Sequence, residues 1–167
     1  FFSRNGKELV NFRNLQNELS KCIKTNPINS AIVLDGEVVS KNFQELMKQI
    51  HRKSTVQNDD ATLYLFDILT FENFKSGIEK KKYFERIKHL ENWFDRNMRT
   101  LDKIKLIEKS LVDLDTDDGK NIFKQFNTKA IIDGYEGIMI KDPDSYYECK
   151  RSTTWLKLKP VIEISLE

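Results

Sequence analysis

Residues 61–69 read Ala-Thr-Leu-Tyr-Leu-Phe-Asp-Ile-Leu, a run that is nearly all apolar and rich in residues that favour strands. Such a run is typical of a β-strand whose two faces are both covered. Asp67 interrupts the run, and a carboxylate inside a buried strand is costly unless another group pairs with it. The stretch therefore predicts the centre of a sheet together with a buried polar contact.

Apolar residues recur at helical or strand spacing on both sides of this strand. The predicted helices cover residues 13–24, 43–50, 80–97 and the segment that follows Asp117-Asp118. The predicted strands cover residues 31–39 (one strand, or two that meet at Gly36), 103–112, 136–141, 154–159 and 161–166. Polar loops are predicted at 53–60 and 142–152. The pattern indicates an α+β fold with a substantial, largely antiparallel sheet and flanking helices, in one domain.

The composition excludes several classes of protein. The chain has 167 residues, of which 32% are charged, with a formal net charge of +2. No apolar run approaches the roughly 20 residues that a membrane span needs. Cys22 and Cys149 make no disulfide framework and suit a reducing cytosol. The chain begins at Phe1 rather than Met and closes on the strand-like run 161–167, so we expect it to be a piece of a longer protein.

Two kinds of site can be set aside from spacing. Asp113, Asp115 and Asp117 alternate like the start of a calcium loop, but Asp118 and Lys124 stand where such a loop needs glycine and a bidentate glutamate. A solvated acidic turn that caps the next helix is the better interpretation. The two histidines make no zinc spacing with the cysteines, and no glycine-rich loop of the P-loop kind occurs.

The strand around Lys157 and Lys159 carries the most informative pair. Strand alternation places both lysines on one face, about 6.6 Å apart along the strand. Two ammonium groups held this close repel each other, and a polyanion between them would relieve the repulsion. The alternative is two lysines on a wet sheet face. Leu156 and Leu158 lie on the other face, where we expect a core.

Three other segments carry carboxylates or an aromatic ring in a suggestive place. Glu136 heads a strongly apolar strand, and it is either solvated there or held by a cation or a metal ion. Asp35 and Glu37 share one face if the chain is extended, and Gly36 leaves room for close approach by a ligand. The same triplet also occurs in ordinary turns. Phe66 is either plain core or a platform for a ligand.

Together with Ser3-Arg4-Asn5-Gly6, these segments resemble, in composition and order, the nucleotidyltransferase motifs of ATP-dependent DNA ligases. The matching segments are Ser-Arg-x-Gly at 3–6, Asp-Gly-Glu at 35–37, Phe-Asp-x-Leu at 66–69, Glu-Gly-hydrophobic-x-x-Lys at 136–141 and Trp-x-Lys-x-Lys at 155–159. Residues 74–77 and 159–163 are similar to phage-type members. The resemblance covers essentially the whole chain and implies part of a nucleotidyltransferase, ATP-grasp-like ligase domain.

The resemblance implies ATP as the cofactor and a role for each matching residue on the nucleotide side. Arg4 looks like the arginine that contacts a phosphate, either of the nucleotide or of the 5′ end at a nick. Glu37 is similar to the glutamate that hydrogen-bonds the ribose hydroxyl. Phe66 resembles the aromatic residue that stacks on adenine, and Asp67 resembles a supporting residue.

The resemblance also implies the phosphate chemistry. Lys157 and Lys159 look like the catalytic pair that grips the α-phosphate, assisted by Arg4, and Glu136 resembles the carboxylate that helps to hold Mg²⁺. In the family a lysine attacks ATP to form lysine–AMP, the AMP passes to the 5′-phosphate of nicked double-stranded DNA, and the 3′-hydroxyl displaces it. This implies a cytoplasmic monomer of a bacterium or of a phage-infected cell.

The chain departs from the family pattern in two respects. The nucleophile motif Lys-x-Asp-Gly does not occur in it, and no oligonucleotide-binding domain follows residue 159. We therefore expect a C-terminal part of an adenylation domain, cut at both ends, that is inactive in self-adenylation. An RNA ligase or an mRNA-capping guanylyltransferase shares the same core, although capping enzymes usually have Asp-Gly where Glu136-Gly137 stand. A non-catalytic nucleic-acid-binding remnant is the alternative outside enzymes.

Overall fold

A computed structural model describes residues 1–25, 31–40, 57, 59–98 and 101–160. The chain divides into two compact units, a division that neither the length nor the composition of the sequence predicts. The first unit comprises Phe1–Glu79 and Phe84–Ile107, and the second comprises Lys80–Tyr83 and Glu108–Glu167. The predicted helix at 43–50 and the predicted strand at 161–166 lie outside the described residues.

Four helices occur in the described part of the chain, and three of them confirm the periodicity in the sequence. They are α1 (Arg13–Thr25), α2 (Phe71–Ser76), α3 (Tyr83–Asn97) and α4 (Asp117–Ile132). The short helix α2 was not predicted. It forms because the Thr70 hydroxyl accepts a hydrogen bond from Asn73 N at 3.2 Å. It ends where Gly77 adopts a left-handed φ of 71°.

Five strands make two small sheets in the described residues. Strands β1 (Ile32–Val39), β2 (Thr62–Thr70) and β3 (Ile104–Leu106) form the first sheet in that order, and β4 (Ile138–Lys141) pairs with β5 (Trp155–Leu158) in the second. The predicted α+β class is confirmed, and the β1–β2 and β4–β5 pairs are antiparallel. The strands divide between two separate sheets, and β3 pairs with β2 in parallel, so the pairing is largely but not entirely antiparallel.

The predicted strand at 103–112 is shorter than its pattern suggested. Ile107 N still donates to Leu65 O at 2.9 Å, and the ladder ends there. The residues that follow, Glu108, Lys109 and Ser110, are polar and exposed, so they gain nothing from a place beside a buried strand. Leu111 is 84% exposed.

The hydrophobic core lies in the first unit around β2. Its fully buried side chains come from α1, the sheet and α3, and include Leu15, Leu65, Ile68, Leu90 and Ile104. Among the described residues of the second unit, Ile138 is the one hydrophobic residue whose side chain is buried. The expectation that Leu156 faces a core is wrong, since Leu156 is 53% exposed and belongs to a sheet of two strands.

Asp67 has the partner that its burial demanded. The Arg86 guanidinium of α3 donates to both Asp67 oxygens, at 2.8 and 3.0 Å, and both side chains are almost completely buried. Arg86 lies on the buried face of α3 with Leu90 and Trp93. Phe84, in the first turn of the same helix, is 52% exposed.

We expect Arg86→Met to destabilise the intact protein by about 3–5 kcal/mol, because it leaves the Asp67 carboxylate buried without its counter-charge. Denaturant unfolding measures the effect. The matched control is Asp144→Asn, which breaks an ion pair with Lys82 of similar length, 2.7 Å, between exposed side chains. The control costs less than about 1 kcal/mol. Equal effects of the two variants would contradict the structural role of the buried pair.

Candidate functional site

Glu136, Lys157 and Lys159 form one charged cluster in the second unit. Lys157 Nζ lies 2.7 Å from Glu136 Oε2, and Lys159 Nζ lies 3.2 Å from the same oxygen. The two lysines therefore converge on one side of β5, as strand alternation predicts. The anion between them is a carboxylate of the protein itself, which the sequence analysis did not foresee.

This cluster is open to solvent. The side chains of Lys157, Lys159 and Glu136 are 45%, 58% and 53% exposed. The hydrogen bond from Lys157, followed by that from Lys159, holds the pKa of Glu136 below its usual range. Water screens such exposed ion pairs, so each contributes little to stability. The cluster is therefore a set of weak, solvent-screened ion pairs around one carboxylate.

Gly137 allows the carboxylate to reach the lysines. Its φ is 137°, in the region that favours glycine. A Cβ atom at this position would lie 1.9 Å from Leu158 O on the neighbouring strand. The close approach of Gly137 to β5 thus requires the absence of a side chain. This accounts for the Glu-Gly pair at the head of β4.

A third lysine on the β4–β5 sheet is held by aromatic rings, a feature that the sequence analysis missed. Lys141 pairs with Trp155 in the β4–β5 register, and its Nζ lies 3.6 Å from the Trp155 ring centre and 4.7 Å from that of Tyr83. Trp155 also packs edge-on against Tyr83 and Tyr147, at 5.7 Å between ring centres in each case. The sequence signal that could have revealed this contact is the alternation of side chains along β5, which places Trp155 on the same face as Lys157.

Glu37 and Phe66 lie on neighbouring strands of the first unit. Glu37 is exposed and opposite Tyr64, two residues from Phe66. The β1–β2 register slips between Asp35 and Gly36, and the ladder passes over Phe66 because Asp35 is opposite Asp67 and Gly36 is opposite Leu65. Irregularities of this kind re-aim side chains near functional sites.

Gly36 has a different use from the expected one. We expected the space beside it to admit a ligand. In the structure the backbone of β2 fills that space, because a Cβ atom on Gly36 would lie 2.8 Å from Tyr64 O. The glycine therefore serves the pairing of β1 with β2. Asp35 is half-buried and lies opposite Asp67 across the same ladder.

Arg4 projects from a tight turn in the first unit. Gly6 N donates to Ser3 O at 2.8 Å, Lys7 N donates to the Ser3 hydroxyl at 3.1 Å, and Gly6 has a φ of 76°. The arginine side chain is exposed. The turn explains why serine and glycine flank the arginine at this spacing.

The acidic turn before α4 behaves as a helix cap. Thr116 Oγ1 accepts from Gly119 N at 3.0 Å, and Asp117 and Asp118 occupy the first turn of α4. Within the described ranges, no group of three or more His, Cys, Asp or Glu side chains is arranged to hold a metal ion. The described helices also lack the length and apolar character needed to cross a membrane.

Of the residues singled out in the sequence, the structure places Arg4, Glu37 and Phe66 in the first unit and brings Glu136, Lys157 and Lys159 together in the second. A family model described as "ATP dependent DNA ligase domain" matches residues 1–159. The chain belongs to this family of ligase domains.

Curated and solved relatives match almost all residues of this chain. The DNA ligase 2 of Methanosarcina acetivorans is 29% identical over 169 residues, covering 94% of this chain and 28% of that protein. The solved structure named Pmar-Lig_PreS3 is 46% identical with a TM-score of 0.88, covering 95% of this chain and 37% of the other. The chain thus spans well under half the length of these two relatives.

A more distant solved structure shares the fold. The ATP-dependent DNA ligase of bacteriophage T7, solved in complex with ATP, is 18% identical with a TM-score of 0.70. It covers 96% of this chain and 55% of the phage chain. The ligase domain described here therefore has the architecture that the motifs in its sequence implied.

We expect the pKa of Glu136 to rise when either lysine is replaced, and to rise more in Lys157→Met than in Lys159→Met, because the Lys157 hydrogen bond is the larger cause of its low value. A carbon-13 NMR titration of the Glu136 carboxyl group in the intact protein measures this. Lys150→Met is the control, since Lys150 lies 3.5 Å from Glu148. An unchanged Glu136 pKa in both lysine variants would contradict the pairing.

The sign of the accompanying stability effect follows from linkage. Because the pKa of Glu136 is lower in the folded than in the unfolded chain, its pairing stabilises the fold above the ordinary glutamate pKa. That contribution is lost as the pH falls through the lowered value. The effect is small because the carboxylate is exposed.

Proposed function

We propose that the protein containing this chain is an ATP-dependent DNA ligase that seals nicks in double-stranded DNA. The observation that carries the proposal is the convergence of Lys157 and Lys159 on one anion, in a chain that belongs to the ligase-domain family. Lysine ammonium groups are common phosphate ligands. The names of the relatives, DNA ligase and ATP-dependent DNA ligase, support the same conclusion.

The reaction consists of three transfers at phosphorus. A lysine outside this chain attacks the α-phosphate of ATP, forming a nitrogen–phosphorus bond as the bond to pyrophosphate breaks. The enzyme then transfers AMP to the 5′-phosphate at the nick, and the 3′-hydroxyl displaces AMP to join the strand. Lys157 and Lys159 neutralise charge on the α-phosphate oxygens, which is the principal need of phosphoryl transfer. Arg4 neutralises charge on a phosphate of the nucleotide or of the 5′ end at the nick.

The residues present fit a phosphate together with Mg²⁺. Lys157 and Lys159 already hold an anionic oxygen in this structure. Mg²⁺ is usually held by one or two carboxylates together with substrate phosphates and water, so the single carboxylate of Glu136 suffices as the protein ligand. When bound, Mg²⁺ supplies further neutralisation of phosphate charge.

Glu37 and Phe66 suit the nucleoside part of ATP. Glu37 is an exposed acceptor for a ribose hydroxyl, and Phe66 offers a half-buried aromatic face at the irregularity in the β1–β2 ladder. Aromatic rings bind bases by stacking. Asp67 supports this region through Arg86 and does not act on the substrate.

We further propose a monomer that acts in replication, repair and recombination, where nicks arise. The 167-residue chain by itself contains no Lys-x-Asp-Gly motif and is inactive in self-adenylation. A phage-type enzyme, in the cytoplasm of a bacterium or of a phage-infected cell, fits the similarity of residues 74–77 and 159–163.

Replacing either lysine of the cluster tests this function. In the intact protein, Lys157→Ala or Lys159→Ala slows single-turnover formation of enzyme–AMP by about 10²–10³-fold, by analogy with the loss of one donor to a developing oxyanion. Lys129→Ala, which removes an exposed lysine paired with Glu108, is the control. Unchanged rates in both cluster variants would end the phosphate assignment. Activity with GTP, or on RNA and not DNA, would favour a capping enzyme or an RNA ligase.

Replacing Phe66 tests the adenine site. Phe66→Ala raises the ATP concentration needed for half-maximal adenylation by about 5- to 150-fold, since stacking on an aromatic ring contributes roughly 1–3 kcal/mol per base. Phe66→Trp retains the wild-type requirement because the larger ring still stacks. Thermal unfolding of both variants is the companion measurement. A loss of melting temperature with unchanged ATP dependence would show that Phe66 is core.

A further inference from the structure

We propose that Glu136 is an internal occupant of the phosphate site, which an incoming phosphate displaces from Lys157 and Lys159, and that this displacement frees the carboxylate to bind Mg²⁺. The inference rests on the proposed function and adds a coupling between two ligands of the same site. It starts from a single observation. Both ammonium groups approach the same carboxylate oxygen, at 2.7 and 3.2 Å.

The carboxylate is the partner that is able to leave. Lys157 lies within the β4–β5 ladder, and Lys159 follows the end of β5 directly. Glu136 precedes the ladder, between Gly134 and Gly137, which both have positive φ values. Because the Glu136 side chain lies outside the ladder and is 53% exposed, it changes position without disturbing the sheet. The lysines stay where the strand holds them.

Charge and exposure favour the exchange. The three side chains are about half exposed, so the ion pairs are weak and screened by water. The phosphate monoester of AMP carries up to two negative charges and three terminal acceptor oxygens, whereas a carboxylate carries one charge and two oxygens. Two closely spaced ammonium groups therefore hold the phosphate better than they hold Glu136.

The same geometry opposes binding of a metal ion before phosphate arrives. A cation bound to Glu136 Oε2 would lie close to the two ammonium groups that already contact this oxygen, at 2.7 and 3.2 Å. Like charges at so short a separation repel each other. Once phosphate has displaced Glu136 from the two lysines, its carboxylate would be available to Mg²⁺, which prefers carboxylate and phosphate oxygens together. Phosphate and Mg²⁺ consequently strengthen the binding of each other, by the same factor in either order.

The decisive experiment measures the affinity of the intact protein for AMP by calorimetry, in EDTA and then in saturating Mg²⁺. In EDTA, Glu136→Gln binds AMP up to about fivefold more tightly than the wild type, because no internal carboxylate competes for the lysines. In Mg²⁺ this gain disappears, because wild-type Glu136 now contributes to metal binding. A Glu136 that served solely as a metal ligand would give no gain in EDTA.

Matched variants separate competition from a general change of charge. Glu108→Gln removes an exposed glutamate of the same unit that pairs with Lys129, and it leaves AMP affinity unchanged. In a Lys157→Met/Lys159→Met background, Glu136→Gln gives no gain, since the groups over which it competes are absent. Adenosine, which lacks the phosphate, binds equally to the wild type and to Glu136→Gln.

The outcomes distinguish this inference from the proposed function. Equal AMP affinities of the wild type and Glu136→Gln in EDTA would overturn the internal occupancy, and a gain that persists in Mg²⁺ would overturn the transfer of the carboxylate to the metal. Formation of enzyme–AMP from ATP by the wild type tests the ligase function separately. If the wild type forms no enzyme–AMP while Glu136→Gln still binds AMP more tightly in EDTA, the ligase function is refuted and the displacement of Glu136 by phosphate stands.

Discussion

The buried ion pair between Asp67 and Arg86 constrains how the central strand of the first unit packs against helix α3. A charge inside a protein is tolerable when its counter-charge is held in good geometry, and here the guanidinium meets both carboxylate oxygens while both side chains are almost completely buried. The pair joins the central strand β2 to helix α3. Since Asp67 directly follows Phe66, the pair also fixes the strand next to the point where the ladder passes over that ring.

The charged cluster of the second unit has the opposite character. Glu136, Lys157 and Lys159 make ion pairs of similar length, but their side chains are about half exposed. The physical difference is the solvent. Breaking the buried pair leaves an uncompensated charge in the core, whereas breaking the exposed pairs returns each group to water. The first kind of contact suits a scaffold, and the second suits a site that exchanges one anion for another.

Glycine has a specific task in three of the five motifs of this ligase domain. Gly6 closes the turn that carries Arg4, Gly36 admits the backbone of β2, and Gly137 admits the carbonyl of Leu158. In the last two cases a Cβ atom would overlap backbone, so the adjacent acidic residues depend on the glycines for their positions. The motifs of the family are thus partly constraints on backbone packing and not solely lists of groups that touch a ligand.

The sequence by itself determined the features that depend on local spacing. These are the bounds of α1, the strand around Asp67, the common side of Lys157 and Lys159, and the requirement that Asp67 have a partner. The family resemblance followed from the same segments, and residues 1–159 match the ligase-domain family. Periodicity determines which face a side chain occupies, because 3.6 residues per turn and alternation along a strand are properties of the backbone itself.

Tertiary structure decided which distant residues meet. The partner of Asp67 is Arg86, 19 residues along the chain, and the anion between the two lysines is Glu136, 21 residues before Lys157. The parallel pairing of β3, the slip in the β1–β2 register and the aromatic rings around Lys141 are of the same kind. Pairing and register depend on how separate segments pack, and packing sums contacts over residues far apart in sequence. Local sequence patterns therefore do not determine which segments pair or in what register.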